Sequence, residues 1–246
     1  MKVKPSTVIA TLFFYPIFLS ISLIAILILI FIGIVQKPFL TFRQTQRMIR
    51  LYILIYGKIV IRLGFPWVRV RFKDMENNQQ HPCIYICNHR SASDPFLMAV
   101  LSGEIVQVVN TWPFKLPIYG FFARLAGYLN IKRMSIDSFL VQGKELLAQG
   151  VAIVGFPEGT RSTNLKMGPF HSAMFRLALA TKVPIVPICL SGTERIPPKK
   201  SFWIYPTEVK VRKLPAISYH TYKEMSPFKL KNYVHELIEK QLQEMD

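Results

Sequence analysis

The chain has 246 residues, 51% of them hydrophobic, and 31 lysines and arginines against 14 acidic residues give it a formal net charge of +17. That length accommodates one sizeable α/β domain plus a membrane segment, and no internal repeat divides it further. The charge implies an anionic partner: a phospholipid surface, an acidic carrier or substrate, or nucleic acid. Cys83, Cys87 and Cys189 sit in apolar runs with neither a metal-type spacing nor an even disulfide set, so they read as small buried hydrophobes in a reducing compartment.

Thr7 to Val35 is almost wholly apolar, preceded by Lys2 and Lys4 and followed by Lys37, Arg43, Arg47 and Arg50. As one helix it would run about 43 Å, longer than a hydrocarbon core of roughly 30 Å, so a tilt or a break is required. Pro16 is the natural break and leaves Ile17 to Val35 to span. The stretch is too long for a cleaved signal peptide and no small-residue cleavage site follows it, so it should stay attached. The basic flank favours a cytoplasmic C-terminal side; a re-entrant hairpin with both ends cytoplasmic is the other arrangement. From Arg43 to Leu63 cations recur at helical steps among apolar residues, with no acidic residue before Asp74 to pair them. That pattern describes an amphipathic helix lying at a lipid interface. Residues 1–65 therefore read as a membrane anchor and 66–246 as the catalytic domain.

Trp67 to Lys73 alternates as a strand, and Met75 to His81 is a polar loop. Cys83 to Cys87 is a short strand that stops at Asn88, which puts His89 at a strand end. Asp94-Pro95 reads as an N-cap and first helical turn, continued by the apolar run Phe96 to Leu101. Strand, loop and cap together fold the Asp94 carboxylate back onto one imidazole nitrogen and leave the other free to take a proton, as in a general base. Further strands are expected at Ile105 to Asn110 and Gly127 to Arg133, the second carrying Lys132 and Arg133 to the sheet edge where α/β proteins bind ligands. Trp112 to Gly120 reads as a Pro-punctuated loop, Phe121 to Ala126 as a helix, and Ser135 as the cap of a helix running to Gln149. Val151 to Phe156 is a buried strand feeding Pro157 to Ser162. There Gly159 permits close backbone approach and Arg161 can grip a phosphate with two bonds. Gly168 to Lys182 reads as a helix, Val183 to Leu190 as a strand whose prolines suit its start or an edge, and Glu208 to Lys213 and Ile217 to His220 as strands. Ser226-Pro227 caps a final helix. The fold class is α/β, a mixed, largely parallel sheet flanked by helices, with an apolar helical segment before it.

His89 with Asp94 suits a Ser-His-Asp hydrolase, a metal site, water activation, or activation of a substrate hydroxyl. No Gly-x-Ser-x-Gly elbow occurs, Ser91 has no signature of an activated nucleophile, and no cluster supplies three metal ligands. The substrate is left as nucleophile. Asn88-His-Arg-Ser-Ala-Ser-Asp94 resembles the His-x4-Asp motif of the glycerolipid acyltransferases of the 1-acylglycerol-3-phosphate acyltransferase type. Phe156-Pro-Glu-Gly-Thr-Arg-Ser162 resembles their second hallmark, Gly127 to Arg133 their acceptor-binding motif, and Val183 to Pro187 a fourth block. The likeness covers roughly Trp67 to Gly192, with departures at Asn130 and Lys132. It implies His89 as base, Asp94 as its orienter, Arg133 on the acceptor phosphate, and Glu158, Gly159, Thr160 and Arg161 shaping the acceptor and phosphate site, with no metal or organic cofactor. It further implies an acyl-CoA or acyl carrier protein donor, a lysophospholipid acceptor, and an anionic inner-membrane surface with the active site on its cytoplasmic face. The rival readings are the same chemistry on a lyso-ornithine lipid or other lysophospholipid, an acyl thioesterase, and a non-catalytic membrane-binding module. Nucleic-acid binding is not expected, because the cations cluster beside the apolar segment and no recognition motif occurs.

Overall fold

The computed structural model describes every residue except 1–2, 37–38, 77–81, 116 and 163–164, so Lys2, Lys37 and most of the loop ending at His81 lie outside the described residues. Helix α1 (Pro5–Gln36) continues through Pro16 without interruption, so the expected break is absent. One missing N–H removes a single bond, and the large apolar side chains on either side continue the turn pattern. At 1.5 Å per residue α1 is about 48 Å long. It is the one described helix long and apolar enough to cross a membrane. Its N-terminal turns nevertheless pack on the domain: Thr7, Ala10 and Thr11 are buried, and the Ile204 N–H donates to Thr11 Oγ1 at 3.0 Å. The opposite side exposes Leu12, Phe13, Leu19, Leu23, Leu27 and Phe31.

Helix α2 (Phe42–Leu63) starts from a capping box between Thr41 and Gln44 and folds back against α1, with the Ser22 and Tyr56 hydroxyls 2.6 Å apart. Its basic residues do not all face outward as expected. Arg43, Arg47 and Arg50 converge on Glu104, far ahead in the chain, and the buried Arg50 also donates to the Ala126 carbonyl. Close docking depends on Gly57, where an added Cβ would meet Ala99 Cβ at 2.6 Å.

After β1 (Val68–Asp74), β2 (Ile84–Cys87), α3 (Asp94–Leu97) and β3 (Ile105–Val109) come two short helices, α4 (Thr111–Lys115) and α5 (Pro117–Leu125), then β4 (Leu129–Asn130), α6 (Ile136–Ala148), β5 (Ala152–Gly155), α7 (Ala173–Thr181), β6 (Ile185–Ser191), β7 (Thr207–Lys213), α8 (Tyr219–Tyr222) and α9 (Pro227–Met245). The strands form one sheet in the order β1-β7-β6-β2-β5-β3-β4, parallel except between β6 and β7. Strands β2, β5 and β6 are buried along their whole lengths, as continuous apolar runs covered on both faces should be. Several boundaries differ from expectation. The stretch 112–120 expected as a loop lies largely in helices α4 and α5, the helix expected from Gly168 begins only at Ala173, and Ile217 makes a lone bridge before the short α8. Strand β4 has only two residues, which leaves Lys132 and Arg133 in an exposed turn. Pro187 lies inside β6, away from a sheet edge; this is tolerated because pairing with β7 begins only at Ile188. Helix α9, capped by Ser226, buries Leu230, Val234, Ile238 and Leu242 at the expected helical spacing.

Candidate active site

Strand β2 is central and delivers His89 at its C-terminal end; β5 beside it delivers Phe156 to Ser162 to the same edge. Asp94 is the first residue of α3, not its N-cap; Ser93 holds that position and makes no side-chain capping bond. The reason is competition. Asp94 Oδ2 accepts from His89 Nδ1–H at 2.8 Å and from the Arg90 and Ser91 backbone N–H groups at 2.7 and 2.8 Å. The carboxylate therefore closes the loop from His89 to Asp94 on itself, fully buried, and holds the imidazole so that Nε2 stays free. The His89 side chain retains 19% exposure, enough to meet a substrate, and its ring lies 4.8 Å from that of Phe156. Ser91 Oγ is completely buried and donates to the Ile196 carbonyl at 2.9 Å, which removes it as a nucleophile.

Glu158 is buried and binds backbone on both oxygens: Oε1 accepts from the His89 N–H at 2.7 Å and Oε2 from the Gly168 N–H at 2.8 Å. Burial raises its pKa despite these bonds, which act in the opposite direction. Its geometry is that of a brace joining the two motif loops, and it presents no group to an anion. A second tie runs from the Ser162 N–H to the His89 carbonyl at 2.9 Å. Gly159 has φ +69°, the left-handed conformation that glycine adopts without strain, and it and Thr160 are exposed at the turn. Arg161 stands next to them, partly exposed, its side chain without an ion-pair partner among the described residues; its carbonyl accepts from Lys199 Nζ at 3.2 Å. Arg133 is not brought against His89. It follows β4, three strands from β2, a lateral separation of about 14 Å from ordinary strand spacing.

Three contributors escaped the sequence reading. The Asn88 side chain exchanges two hydrogen bonds with the Leu190 backbone, at 2.9 and 2.7 Å, pinning β2 to β6 just before the base. Arg90, almost fully buried, pairs through two bonds with Asp246 at 2.7 and 2.6 Å. Against the cost of burial, that pairing raises the guanidinium pKa and holds the Asp246 carboxyl below its usual range. Gly168 is the third, as the second anchor of Glu158. Asn88 had a local signal as the polar residue closing a buried strand; Arg90 had none, its partner lying 156 positions away, and Gly168 bonds a glutamate only ten residues before it, across a turn that no periodicity marks.

The family profile described as "Acyltransferase" matches residues 69–191, which includes both motifs. A chloroplastic 1-acyl-sn-glycerol-3-phosphate acyltransferase of Brassica napus is 31% identical over 191 residues, covering 75% of this chain and 55% of that protein. The human 1-acyl-sn-glycerol-3-phosphate acyltransferase alpha is 34% identical over 143 residues, covering 55% of this chain and 50% of its own. The chain thus spans about half the length of these curated relatives. The crystal structure of the 1-acyl-sn-glycerophosphate (LPA) acyltransferase PlsC from Thermotoga maritima superposes with a TM-score of 0.79 at 22% identity, over 98% of this chain and 96% of that one, so the two share a fold. With the His-Asp pair, the braced second motif and half its length under the family profile, the chain belongs to the acyltransferase family.

Proposed function

We propose that the protein transfers a fatty acyl group from acyl-CoA or acyl carrier protein to the free hydroxyl of a 1-acylglycerol-3-phosphate, giving phosphatidic acid. The observation that carries this reading is an imidazole fixed through Nδ1 by a buried carboxylate, next to a serine whose hydroxyl is committed to backbone. His89 Nε2 takes the proton of the acceptor hydroxyl as its oxygen attacks the thioester carbonyl. The new C–O bond forms, the C–S bond breaks as the tetrahedral intermediate collapses, and His89 returns the proton to the departing thiolate. Asp94 keeps the tautomer and stabilises the transient imidazolium. Arg161, with the exposed turn at Gly159 and Thr160, receives the acceptor phosphate; Arg133 borders the same sheet edge from the far side. Glu158 positions the base through its backbone.

A cavity of about 560 Å³ between α1, α2 and the domain reaches Ala92 and Pro95 of the catalytic loop, and its apolar walls suit the donor's acyl chain. The anchor comprises α1, with its exposed apolar side against lipid, and α2 at the interface, where Lys58 and Arg62 remain exposed to meet anionic headgroups. The active site then faces the cytoplasmic side of the inner membrane. The test is thiol release from acyl-CoA by purified enzyme in anionic vesicles, with and without lysophosphatidate. Release should require the acceptor, and His89→Ala should lower it about 10²–10⁴-fold with vesicle binding unchanged. Full-rate release without acceptor would establish a thioesterase instead.

A further inference from the structure

The catalytic loop stands between two apolar cavities. Besides the one of about 560 Å³ there is a second of about 240 Å³, and Phe18, Ala92 and Phe96 line both. Ala92 lies between His89 and Asp94 in the chain, so both cavities reach the loop that holds the base. The Phe96 ring forms the partition, set edge-on against Phe18 and Tyr56 with centroids 6.3 Å from each. The smaller cavity is walled by Ile61 of α2, Val70 of β1, and Ile196 and Pro197.

We infer that the smaller cavity binds the acyl chain already carried by the acceptor, while the larger takes the incoming donor chain. The inference rests on the lysolipid acyltransferase reading, in which two chain-bearing molecules must meet at one imidazole. Sidedness decides which chain goes where. Ile196 is tied to the catalytic loop through Ser91 Oγ, and Lys199, three residues on, donates to the Arg161 carbonyl. The smaller cavity therefore lies on the side of the turn that receives the acceptor phosphate. The larger one extends the other way, under β3 and α4, where Val109 and Trp112 line it. Headgroup and chain of the acceptor then occupy one side of His89 and the thioester with its chain the other, which places hydroxyl and carbonyl face to face at Nε2.

The assay uses the full chain in anionic vesicles with palmitoyl-CoA as fixed donor and 1-acylglycerol-3-phosphates from octanoyl to octadecanoyl as acceptors. Val70→Phe and Ile61→Phe fill the small cavity from opposite walls. Each should raise KM for the octadecanoyl acceptor about tenfold relative to the octanoyl one and leave the donor chain-length profile unchanged. Val109→Phe should alter the donor profile alone. An acceptor profile unchanged in both filled variants, or a shifted donor profile in them, overturns the inference. A readout independent of folding mutants uses unmodified protein and a lysophosphatidate with a diazirine at its chain terminus. Crosslinks should map to the Ile61 and Val70 peptides, and crosslinks at Val109 or Trp112 would overturn the assignment. If the unmodified protein acylates no lysolipid at all, the functional reading itself fails, and the crosslink pattern is judged separately.

Discussion

Both Glu158 oxygens are occupied by backbone N–H groups, so a glutamine there would turn an NH₂ toward a donor. Glu158→Gln should leave one buried N–H unpaired at a cost of about 1–3 kcal/mol in stability. If the lost partner is His89, the base moves with its backbone, and kcat should fall by about a hundredfold with a smaller change in KM. Urea unfolding and steady-state kinetics on the same preparation check both parts; an unchanged kcat would remove Glu158 from the positioning machinery. The pairing of His89 with Asp94 was legible in the sequence because both sit within six residues around a strand end. It did not expose the brace, because an acidic residue beside an arginine in a polar turn looks like an anion site, and only the sheet order puts Glu158 under His89. Arg90 was equally opaque, its partner Asp246 lying 156 positions downstream.

Among the secondary-structure elements, α2 shows how a charge pattern can mislead while a hydrophobic pattern succeeds. Its bounds followed closely from periodicity, yet three of its arginines pair with a glutamate that no local reading would give them, and one of the three, Arg50, is buried. The strand expected over 127–133 is present as β4 but pairs over two residues only, because its neighbour β3 ends at Val109 and leaves nothing for Lys132 and Arg133 to bond. Burial alone would raise the Glu104 pKa, but hydrogen bonds and positive charge from Arg43 and Arg50 bring it below its ordinary value of 4.5. A carboxylate with a lower pKa folded than unfolded contributes stability in full above its unfolded value and loses it as pH falls through the folded one. Thermal unfolding of wild type and Glu104→Gln should therefore differ by a constant amount at neutral pH. The gap should close on acidification below the ordinary carboxylate value. A gap that persists at low pH would mean that Glu104 acts through packing and not through charge.

Over the whole molecule, the loop from His89 to Asp94 is clamped from both directions. Thr11 of α1 holds the Ile204 segment near Ile196, to which Ser91 is bonded, while Asp246 after α9 holds Arg90. The parallel sheet supplies the edge and these distant segments supply the rigidity. Helix α2 approaches the domain most closely at Gly57, which also lines the larger cavity. A Cβ there would sit 2.6 Å from that of Ala99, about 1 Å inside the usual contact distance. Gly57 thus acts as a gauge: the smallest residue sets the narrowest gap, and one methyl group would lever a whole helix pair outward. Gly57→Ala should widen the slot, shift donor competition toward longer or branched acyl chains, and lower the unfolding temperature. Under the proposed function, the caliper of the product lipid is a hydrogen atom of Gly57.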